Sequence, residues 1–230
     1  MARIFRDREE AGRELGIRLR ALELGRDLLV LGLPRGGVPV ACEVAAALAA
    51  PVDVLVVRKL GAPHNRELAV GAVAFGGVTV YNDALLEMLN LTEQDLEPTR
   101  RSELAELERR ERAYRGGAAP LAVTNRTVIL VDDGVATGAT MRAAVLATRR
   151  LQPRRIIVAA PTGASDSLEL LEKVADQVVV LETPEPYYAV GAWYAEFPQL
   201  RDEEVVACLA AAARRTAAAG AQPTPAKAPR

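Results

Sequence analysis

Two adjacent carboxylates follow an apolar run in the segment 127-TVILVDDGVATGAT-140. Asp132 and Asp133 stand where a buried strand would end, and a turn with glycines and hydroxyl groups comes next. The amides of a loop that opens a helix, together with the hydroxyls of Thr137 and Thr140, can hold a monophosphate. Two carboxylates would repel that phosphate, but they would accept hydrogen bonds from the diol of an attached sugar. The segment therefore predicts a site for a phosphorylated ribose, and a structural Asp-Asp-Gly turn is the alternative.

A second loop, 33-LPRGG-37, also follows an apolar strand and opens a helix. Its free amides and Arg35 offer another place for phosphate oxygens. Neither loop matches GxxxxGK[ST] or GxGxxG, so a P-loop or dinucleotide-binding fold is disfavoured. Two anion sites beside a diol-binding pair suit a ribose that carries phosphate groups at both ends. The activated sugar 5-phosphoribosyl-1-pyrophosphate (PRPP) has that shape.

Short apolar runs alternate with helical patterns along most of the chain. This alternation predicts an α/β fold with a doubly wound, mostly parallel sheet. Ligands bind such sheets beyond the carboxyl ends of the strands, where both loops would lie. Gly76 and Gly77 mark the turn of a hairpin within residues 70–81, whereas residues 61–71 have loop chemistry. The predicted strands are 28–32, 52–57, 127–131, 155–160 and 178–182, and the predicted helices are 8–24, 38–50, 83–115, 139–151 and 165–175.

The composition suits one domain with a core of small aliphatic side chains, because 50% of the 230 residues are hydrophobic and 4% are aromatic. We expect that domain over residues 1–210 and a disordered Ala- and Pro-rich tail over residues 211–230. Cys42 and Cys208 are typical of buried thiols in a reducing compartment. The charged N-terminus has no signal-peptide core and no apolar run reaches membrane-span length. A cytoplasmic location without a membrane partner is therefore expected.

The formal net charge of -1 gives no electrostatic reason to expect binding to nucleic acid. The most charged stretch, residues 83–115, carries glutamates that neutralise its arginines. It predicts a solvent-exposed helix with ion pairs between successive turns. Such a helix could also serve a homodimer.

The segment VILVDDGVATGAT resembles the signature of type I phosphoribosyltransferases, which has an apolar strand, two acids, two variable residues, a small residue and Thr-Gly-x-Thr. LPRGG occupies the place of that family's pyrophosphate loop, and VVRK ends the second strand where the family often carries basic residues. The order of elements agrees from about residue 26 to residue 182. The resemblance implies transfer of the 5-phosphoribosyl group from PRPP to a nucleobase or similar nitrogen heterocycle, with release of pyrophosphate.

The resemblance also implies roles for individual residues. Asp132 and Asp133 would bind the ribose hydroxyls, and Arg35 and Lys59 would stabilise the leaving pyrophosphate. Magnesium is held in this family mainly by the substrate's oxygens, so Mg²⁺ is expected to arrive with PRPP rather than in a protein cage. A non-proline cis peptide is expected near residues 34–36. The other implied substrate contacts are Ala136, Thr137, Gly138, Ala139 and Thr140 to the 5′-phosphate, Gly36 and Gly37 to the pyrophosphate, and Arg58 beside Lys59.

A flexible segment and a hood complete the expected site. The family usually closes a mobile lid after the second strand, here residues 61–71 or the hairpin up to residue 81. His64 lies in that segment, where a lid contact or general base competes with a merely solvated side chain. The hood is expected mainly over residues 183–200, where five of the nine aromatic residues cluster. Its YAVG resembles the aromatic-x-Val-Gly of purine-type relatives, which would make Tyr188 the ring that stacks on the base.

The acceptor base stays open, because Ala136 stands where oxopurine-specific relatives carry an acid. That departure weakens a hypoxanthine or guanine assignment. A regulatory protein of the same fold that senses PRPP or a nucleotide is the alternative to the enzyme, and Arg35 and Lys59 favour the enzyme. A phosphohydrolase that uses the same pocket would need a general base that the sequence does not reveal.

Overall fold

A computed structural model of the chain describes residues 3–120 and 122–220. Five strands form a parallel sheet, and three more form a separate antiparallel sheet. The strands are β1 (Leu28–Gly32), β2 (Val52–Val54), β3 (Val57–Ala62), β4 (Asn65–Ala74), β5 (Val78–Tyr81), β6 (Thr127–Val131), β7 (Arg155–Thr162) and β8 (Gln177–Glu182). The helices are α1 (Arg8–Arg20), α2 (Gly37–Leu48), α3 (Asp83–Met88), α4 (Glu93–Arg115), α5 (Ala139–Arg150), α6 (Ser165–Glu172) and α7 (Asp202–Gly220).

The parallel sheet has the order β2-β1-β6-β7-β8, which confirms the predicted doubly wound α/β fold. Strands β1 and β6 are central and pair in register from Leu28 opposite Thr127 to Gly32 opposite Val131. The carboxyl ends of the two strands therefore lie at the same level. The loops that follow them leave the same edge of the sheet side by side.

Helices cover both faces of this sheet, as its two-sided apolar strands require. Alternate residues of the central strands point to opposite sides, so Val30 and Ile129 pack against α1 and α2 while Leu130 and Ile156 pack against α5 and α6. Each fully buried aliphatic side chain stabilises the fold by roughly 1.5–3 kcal/mol. The chemistry at the sheet edge therefore rests on a rigid layer.

The predicted strand 52–57 is wrong in its extent, because the apolar run crosses from one sheet to the other. β2 ends at Val54, and β3 begins at Val57 in the antiparallel sheet. Leu55 and Val56 between them are buried, so hydrophobicity continues through the break. An apolar run alone could not show where one sheet stops and the next starts.

The predicted loop 61–71 is also wrong, because most of it is a hairpin. β3 runs to Ala62, and β4 starts again at Asn65 after a tight turn. The pairing shifts around Gly61, and this irregularity hides the alternation that would have predicted strands. The hairpin turn at Gly76 and Gly77 is confirmed, since both glycines have positive φ and join β4 to β5.

The charged stretch forms two helices rather than one, α3 and α4. Helix α4 carries the predicted ion pairs on its surface, including Arg101 with Glu97 and Arg110 with Glu106. The Asp95 carboxylate accepts the amide of Thr92 at 2.8 Å and so caps the start of α4. The break before α4 follows from this cap.

The C-terminal expectation needs a correction, because α7 continues to Gly220 and includes the first half of the stretch assigned to a disordered tail. Helix α7 packs against α2, and its Val205 and Ala212 are buried there. Its alanine content favours helix as well as disorder, which explains the misassignment. Residues 221–230 lie outside the described part of the chain. Among the residues that are described, no helix has the length and apolarity needed to cross a membrane.

Candidate functional site

The loops after β1 and β6 stay in contact as they leave the sheet. The amide of Leu33 donates to the carbonyl oxygen of Val131 at 2.8 Å, which extends the strand pairing into the loops. Gly37 then passes so close that a Cβ atom built on it would lie 2.6 Å from the same oxygen. A side chain at position 37 would separate the two loops.

Gly36 touches the acidic pair directly. A Cβ atom built on Gly36 would lie 1.9 Å from Oδ2 of Asp133. The backbone of Gly36 has ordinary helical angles, with φ -63° and ψ -34°, so any residue could adopt them. Glycine is needed here for space, because it lets the 33–37 loop rest against a carboxylate.

Asp133 is held in place by two neighbours outside its own loop. Nε of Arg8, at the start of α1, donates to Oδ2 of Asp133 at 2.8 Å. The hydroxyl of Tyr194 donates to the backbone carbonyl of Asp133 at 2.6 Å. Both the side chain and the main chain of Asp133 are therefore held by protein contacts.

Asp132 has a different electrostatic environment. Its Oδ1 accepts the amide of Asp133 at 2.9 Å. Burial raises the pKa of the Asp132 carboxyl, and the neighbouring Asp133 carboxylate raises it further. The pair therefore presents one carboxylate bonded to arginine and one carboxyl that keeps its proton to a higher pH than an ordinary aspartate does. When both groups are ionised, the pair can accept hydrogen bonds from vicinal hydroxyls.

The segment from Ala136 to Gly138 forms an exposed turn before α5. The Ser167 hydroxyl donates to the carbonyl oxygen of Ala136 at 2.6 Å, and Gly138 adopts a φ of 69° that favours glycine. Within the part of the chain that the structure describes, the amides of Ala136, Thr137 and Gly138 donate to no protein acceptor. Free amides at the start of a helix attract an anion. The turn therefore opens α5 with unpaired amides, and its role as a phosphate-binding loop stays a prediction.

The phosphoribosyl transferase domain family matches residues 17–190 of the sequence, which covers β1, the acidic pair and the turn before α5. The chain belongs to this family. The match confirms the resemblance drawn from VILVDDGVATGAT and from LPRGG. It does not assign an acceptor base or a role to any single residue.

Two curated relatives from Mycobacterium tuberculosis strains carry the names "Putative phosphoribosyl transferase MT0597" and "Putative phosphoribosyl transferase Rv0571c". Each is 46% identical over 219 residues, which is 95% of this chain and 49% of the relative. The chain thus spans about half the length of the curated relatives it matches. The crystal structure of TT1426 from Thermus thermophilus is similar with a TM-score of 0.83 and 43% identity, over 90% of this chain and 97% of that one.

The two basic residues of VVRK have different surroundings in this phosphoribosyl transferase domain. Arg58 is half-buried, and its guanidinium forms an ion pair with Glu103 of α4 at 2.6 Å. Lys59 is exposed and lines a cavity of about 90 Å³ together with Ala139 and Arg142 of α5. Lys59 therefore lies beside α5, whereas the guanidinium of Arg58 is bonded to Glu103.

Arg35 lies in the 33–37 loop and is half-buried, and the peptide bond before it is cis, as the resemblance predicts. Burial and a hydrogen bond to Asp202 raise the pKa of Tyr114 to about 12, and the positive charge of Arg35 acts in the opposite direction. Arg35 is therefore near Tyr114 on α4. Among the described residues it has no ion-pair partner, so its charge is available to a ligand.

The hood contacts the acidic loop through apolar atoms. A Cβ atom built on Gly134 would lie 2.5 Å from Cγ1 of Val190, so the hood rests on the turn that follows the acids. The Tyr188 ring is 83% exposed, which leaves it free for stacking. Tyr194 is buried and packs on Phe197 with ring centres 5.0 Å apart, as expected for residues that close the edge of the core.

Two further residues singled out in the sequence, His64 and Ala136, are exposed. His64 lies in the turn that joins β3 to β4, so it belongs to a hairpin tip rather than to an irregular loop. Ala136 is exposed in the turn before α5 and carries no charged group. Their roles stay predictions.

Arg8 was not predicted from the sequence as a site residue. It lies outside the matched residues 17–190 and far along the chain from Asp133. One signal was available: Arg8 falls three residues before Ala11 on the apolar stripe that continues through Leu15 and Leu19. A charged residue on the buried side of an amphipathic helix needs a partner, and that partner is Asp133.

Proposed function

We propose that this chain is a phosphoribosyltransferase domain that transfers the 5-phosphoribosyl group from PRPP to a nucleobase or a similar nitrogen heterocycle. The contact between Gly36 and Asp133 carries the proposal. It makes the loop expected to hold pyrophosphate adjacent to the pair expected to hold the ribose diol. A single ligand with a phosphate at each end of a ribose can reach from one loop to the other.

The proposed reaction is a displacement at C1 of the ribose. A ring nitrogen of the base forms a bond to C1, the bond from C1 to the pyrophosphate oxygen breaks, and pyrophosphate leaves with the electron pair. The nitrogen proton is released to solvent or to pyrophosphate. Positive charge develops on the sugar and negative charge on the leaving group, so preorganised charges at the leaving group lower the barrier most.

Each group of residues acts on a different part of the substrate. The free amides from Ala136 to Gly138 anchor the 5′-phosphate, and the acidic pair orients the ribose through its hydroxyls. Arg35 and the amides of Gly36 and Gly37 stabilise the leaving pyrophosphate. Lys59, from the antiparallel sheet, adds positive charge beside α5.

Magnesium forms part of the proposal as a companion of the substrate. The donors nearest to the sugar are the two carboxylates, one of which is bonded to Arg8, and across the described residues no group of three metal-binding side chains comes together. This donor set suits an ion held mainly by pyrophosphate and ribose oxygens. Bound there, Mg²⁺ would neutralise charge on the leaving group.

The acceptor base would lie under the hood, where Tyr188 is available to stack on it. Aromatic stacking is worth about 1–3 kcal/mol per base in other nucleobase-binding sites. Ala136 places no carboxylate beside the base, which supports an acceptor other than hypoxanthine or guanine. The hairpin β3–β4, with His64 at its tip, is the candidate lid.

The test is pyrophosphate release from purified protein supplied with magnesium, PRPP and a panel of purine and pyrimidine bases. Release that depends on one base would support the transferase and identify its acceptor. A binding isotherm for PRPP without base should be recorded in parallel, with Asp132→Asn as the matched control. Tight binding without release across the panel would favour the regulatory sensor, and absence of binding would overturn both proposals.

A further inference from the structure

Arg8 is a charged residue with almost no access to solvent. Its side chain is 9% exposed, and that of its partner Asp133 is 14% exposed. Besides the 2.8 Å bond to Asp133, its Nη1 donates to the carbonyl oxygen of Pro198 at 2.9 Å. The centre of the guanidinium lies 3.8 Å from the centre of the Phe197 ring. The guanidinium therefore has defined neighbours at its edge and on its face.

The bond from Arg8 distinguishes the two oxygens of Asp133. Oδ2 accepts from Arg8 and also lies against Gly36. In the described part of the chain, Oδ1 accepts no hydrogen bond from outside the acidic pair, so it keeps a lone pair for a ligand. An arginine that holds one carboxylate oxygen fixes the direction of the other, because the carboxylate group is planar.

Arg8 also joins parts of the chain that are distant in sequence. It belongs to the first turn of α1, Asp133 follows β6, and Phe197 and Pro198 lie in the hood segment. A buried ion pair is weak evidence for stability by itself, because the desolvation of both charges opposes it. The position of this pair at the acidic motif points to a role in the site.

We infer that Arg8 is a positioning residue of the sugar-binding site, which holds Oδ2 of Asp133 so that Oδ1 faces a ribose hydroxyl. The inference rests on the proposed function for the identity of the ligand. Arg8 itself does not touch the reacting atoms. Its positive charge also favours the ionised form of the acidic pair, which accepts hydrogen bonds.

The groups that face the pair come from two parts of the chain, α1 and the hood segment. They are the Arg8 guanidinium from α1 and the hydroxyls of Tyr187 and Tyr194 from the hood segment. Burial raises the pKa of both tyrosines, so they stay neutral over the range in which the acids titrate. The positive charge of Arg8 lowers the pKa of Asp132, against the larger effects of burial and of Asp133. Removal of Arg8 should therefore raise the pKa of Asp132 further.

The test compares Arg8→Gln and Arg8→Lys with the control Arg13→Gln. Arg13 lies on the same helix, is exposed and forms long ion pairs with Glu9 and Glu43, so its removal deletes a charge away from the acidic pair. Arg8→Gln should weaken PRPP binding about tenfold or more, the equivalent of one lost charge-assisted hydrogen bond. Arg8→Lys should recover part of that loss, and Arg13→Gln should bind as the wild type does.

The pH profile separates positioning from a merely structural effect. As the pH falls, Arg8→Gln should lose PRPP binding at a higher pH than the wild type does, because the pKa of its Asp132 is higher. The KM for PRPP should rise more than kcat falls, and the KM for the base should change little. A folded Arg8→Gln protein with wild-type PRPP affinity and an unchanged acid limb would overturn the inference.

Two measurements keep the inference testable if binding or folding fails. If the wild type does not bind PRPP, the proposed function fails, and a carboxyl-carbon NMR titration of ligand-free protein then decides the matter for Arg8. If Asp132 titrates at the same pH in Arg8→Gln as in the wild type, the inference is overturned. If it titrates at a higher pH in Arg8→Gln, the inference is supported. If Arg8→Gln does not fold, Arg8→Lys and Phe197→Leu are compared instead, and normal binding and pH dependence in both would overturn it.

Discussion

Gly36 and Asp133 belong to different loops, yet a methyl group on Gly36 would lie only 1.9 Å from the Asp133 carboxylate. This contact exists because β1 and β6 are neighbours in the parallel sheet and end at the same level. It places the loop with Arg35 against the acidic motif through protein contacts alone. The two loops therefore form one site, and a change in either one should disturb the other.

Substitution Gly36→Ala should impair binding more than folding. The backbone angles of Gly36 suit alanine, so the cost comes from the methyl group, which must displace the Asp133 side chain from Arg8. We expect a loss of PRPP affinity of at least about tenfold and a loss of stability of about 1–3 kcal/mol, within the range for overpacking. Isothermal titration and thermal unfolding measure the two effects. Wild-type affinity in Gly36→Ala would show that the contact is irrelevant to the ligand.

Substitution Asp132→Asn should stabilise the protein at neutral pH while weakening ligand binding. The pKa of Asp132 is raised in the folded protein by burial and by Asp133. The folded state therefore binds that proton more tightly than the unfolded chain does. The associated stability is fully present below the ordinary aspartate pKa and is lost as pH rises through the raised value.

Asparagine removes this ionisation, so the free energy of unfolding of Asp132→Asn should lack that decline with rising pH. At pH 7 the variant should therefore be more stable than the wild type. Denaturant unfolding of both proteins at several pH values between about 4 and 8 measures the difference, with the pH range set by the ordinary carboxyl pKa. Parallel curves for the two proteins would contradict the raised pKa.

The neighbouring residues Arg58 and Lys59 should respond differently to the same substitution. Arg58→Gln breaks the ion pair with Glu103, so it should cost up to about 1 kcal/mol of stability, the usual range for a partly exposed pair. Glu103→Gln should reproduce that loss. Lys59→Gln removes an exposed charge beside α5, so it should lower kcat/KM about tenfold or more with an unchanged melting temperature. Equal effects of Arg58→Gln and Lys59→Gln on both measurements would contradict this division.

The sequence predicted the centre of the fold better than its periphery. Strands β1 and β6 were predicted because each is a short apolar run followed by a glycine-containing loop, and the position of their loops follows from parallel pairing. The break at Leu55 and Val56 was not predictable from apolarity, since both residues are buried between two sheets. Helix α7 was not among the predicted helices, and its part beyond residue 210 was assigned to a tail because alanine-rich sequence without large side chains also suits disorder.

The same reasoning explains which parts of the site escaped the sequence. Asp132, Asp133 and the turn before α5 lie within one short segment, so their types and spacing are visible together. The Arg8–Asp133 pair joins residues 125 positions apart, and no local sequence pattern reveals a contact between residues so distant in the chain. The pairing of Arg58 with Glu103 was hidden in the same way, because it depends on how α4 packs on β3.

The hood tyrosines should separate base binding from stability. Tyr188 is 83% exposed, so Tyr188→Ala should leave the melting temperature unchanged and raise the KM for the base about fivefold or more, as the loss of a stacking ring implies. Tyr194→Phe keeps the buried ring but removes the hydroxyl that donates to Asp133 at 2.6 Å. It should cost about 1 kcal/mol of stability and leave the KM for the base unchanged. Steady-state kinetics with varied base and thermal unfolding of both variants measure these effects. A Tyr188→Ala protein with wild-type KM for every base would remove Tyr188 from the site.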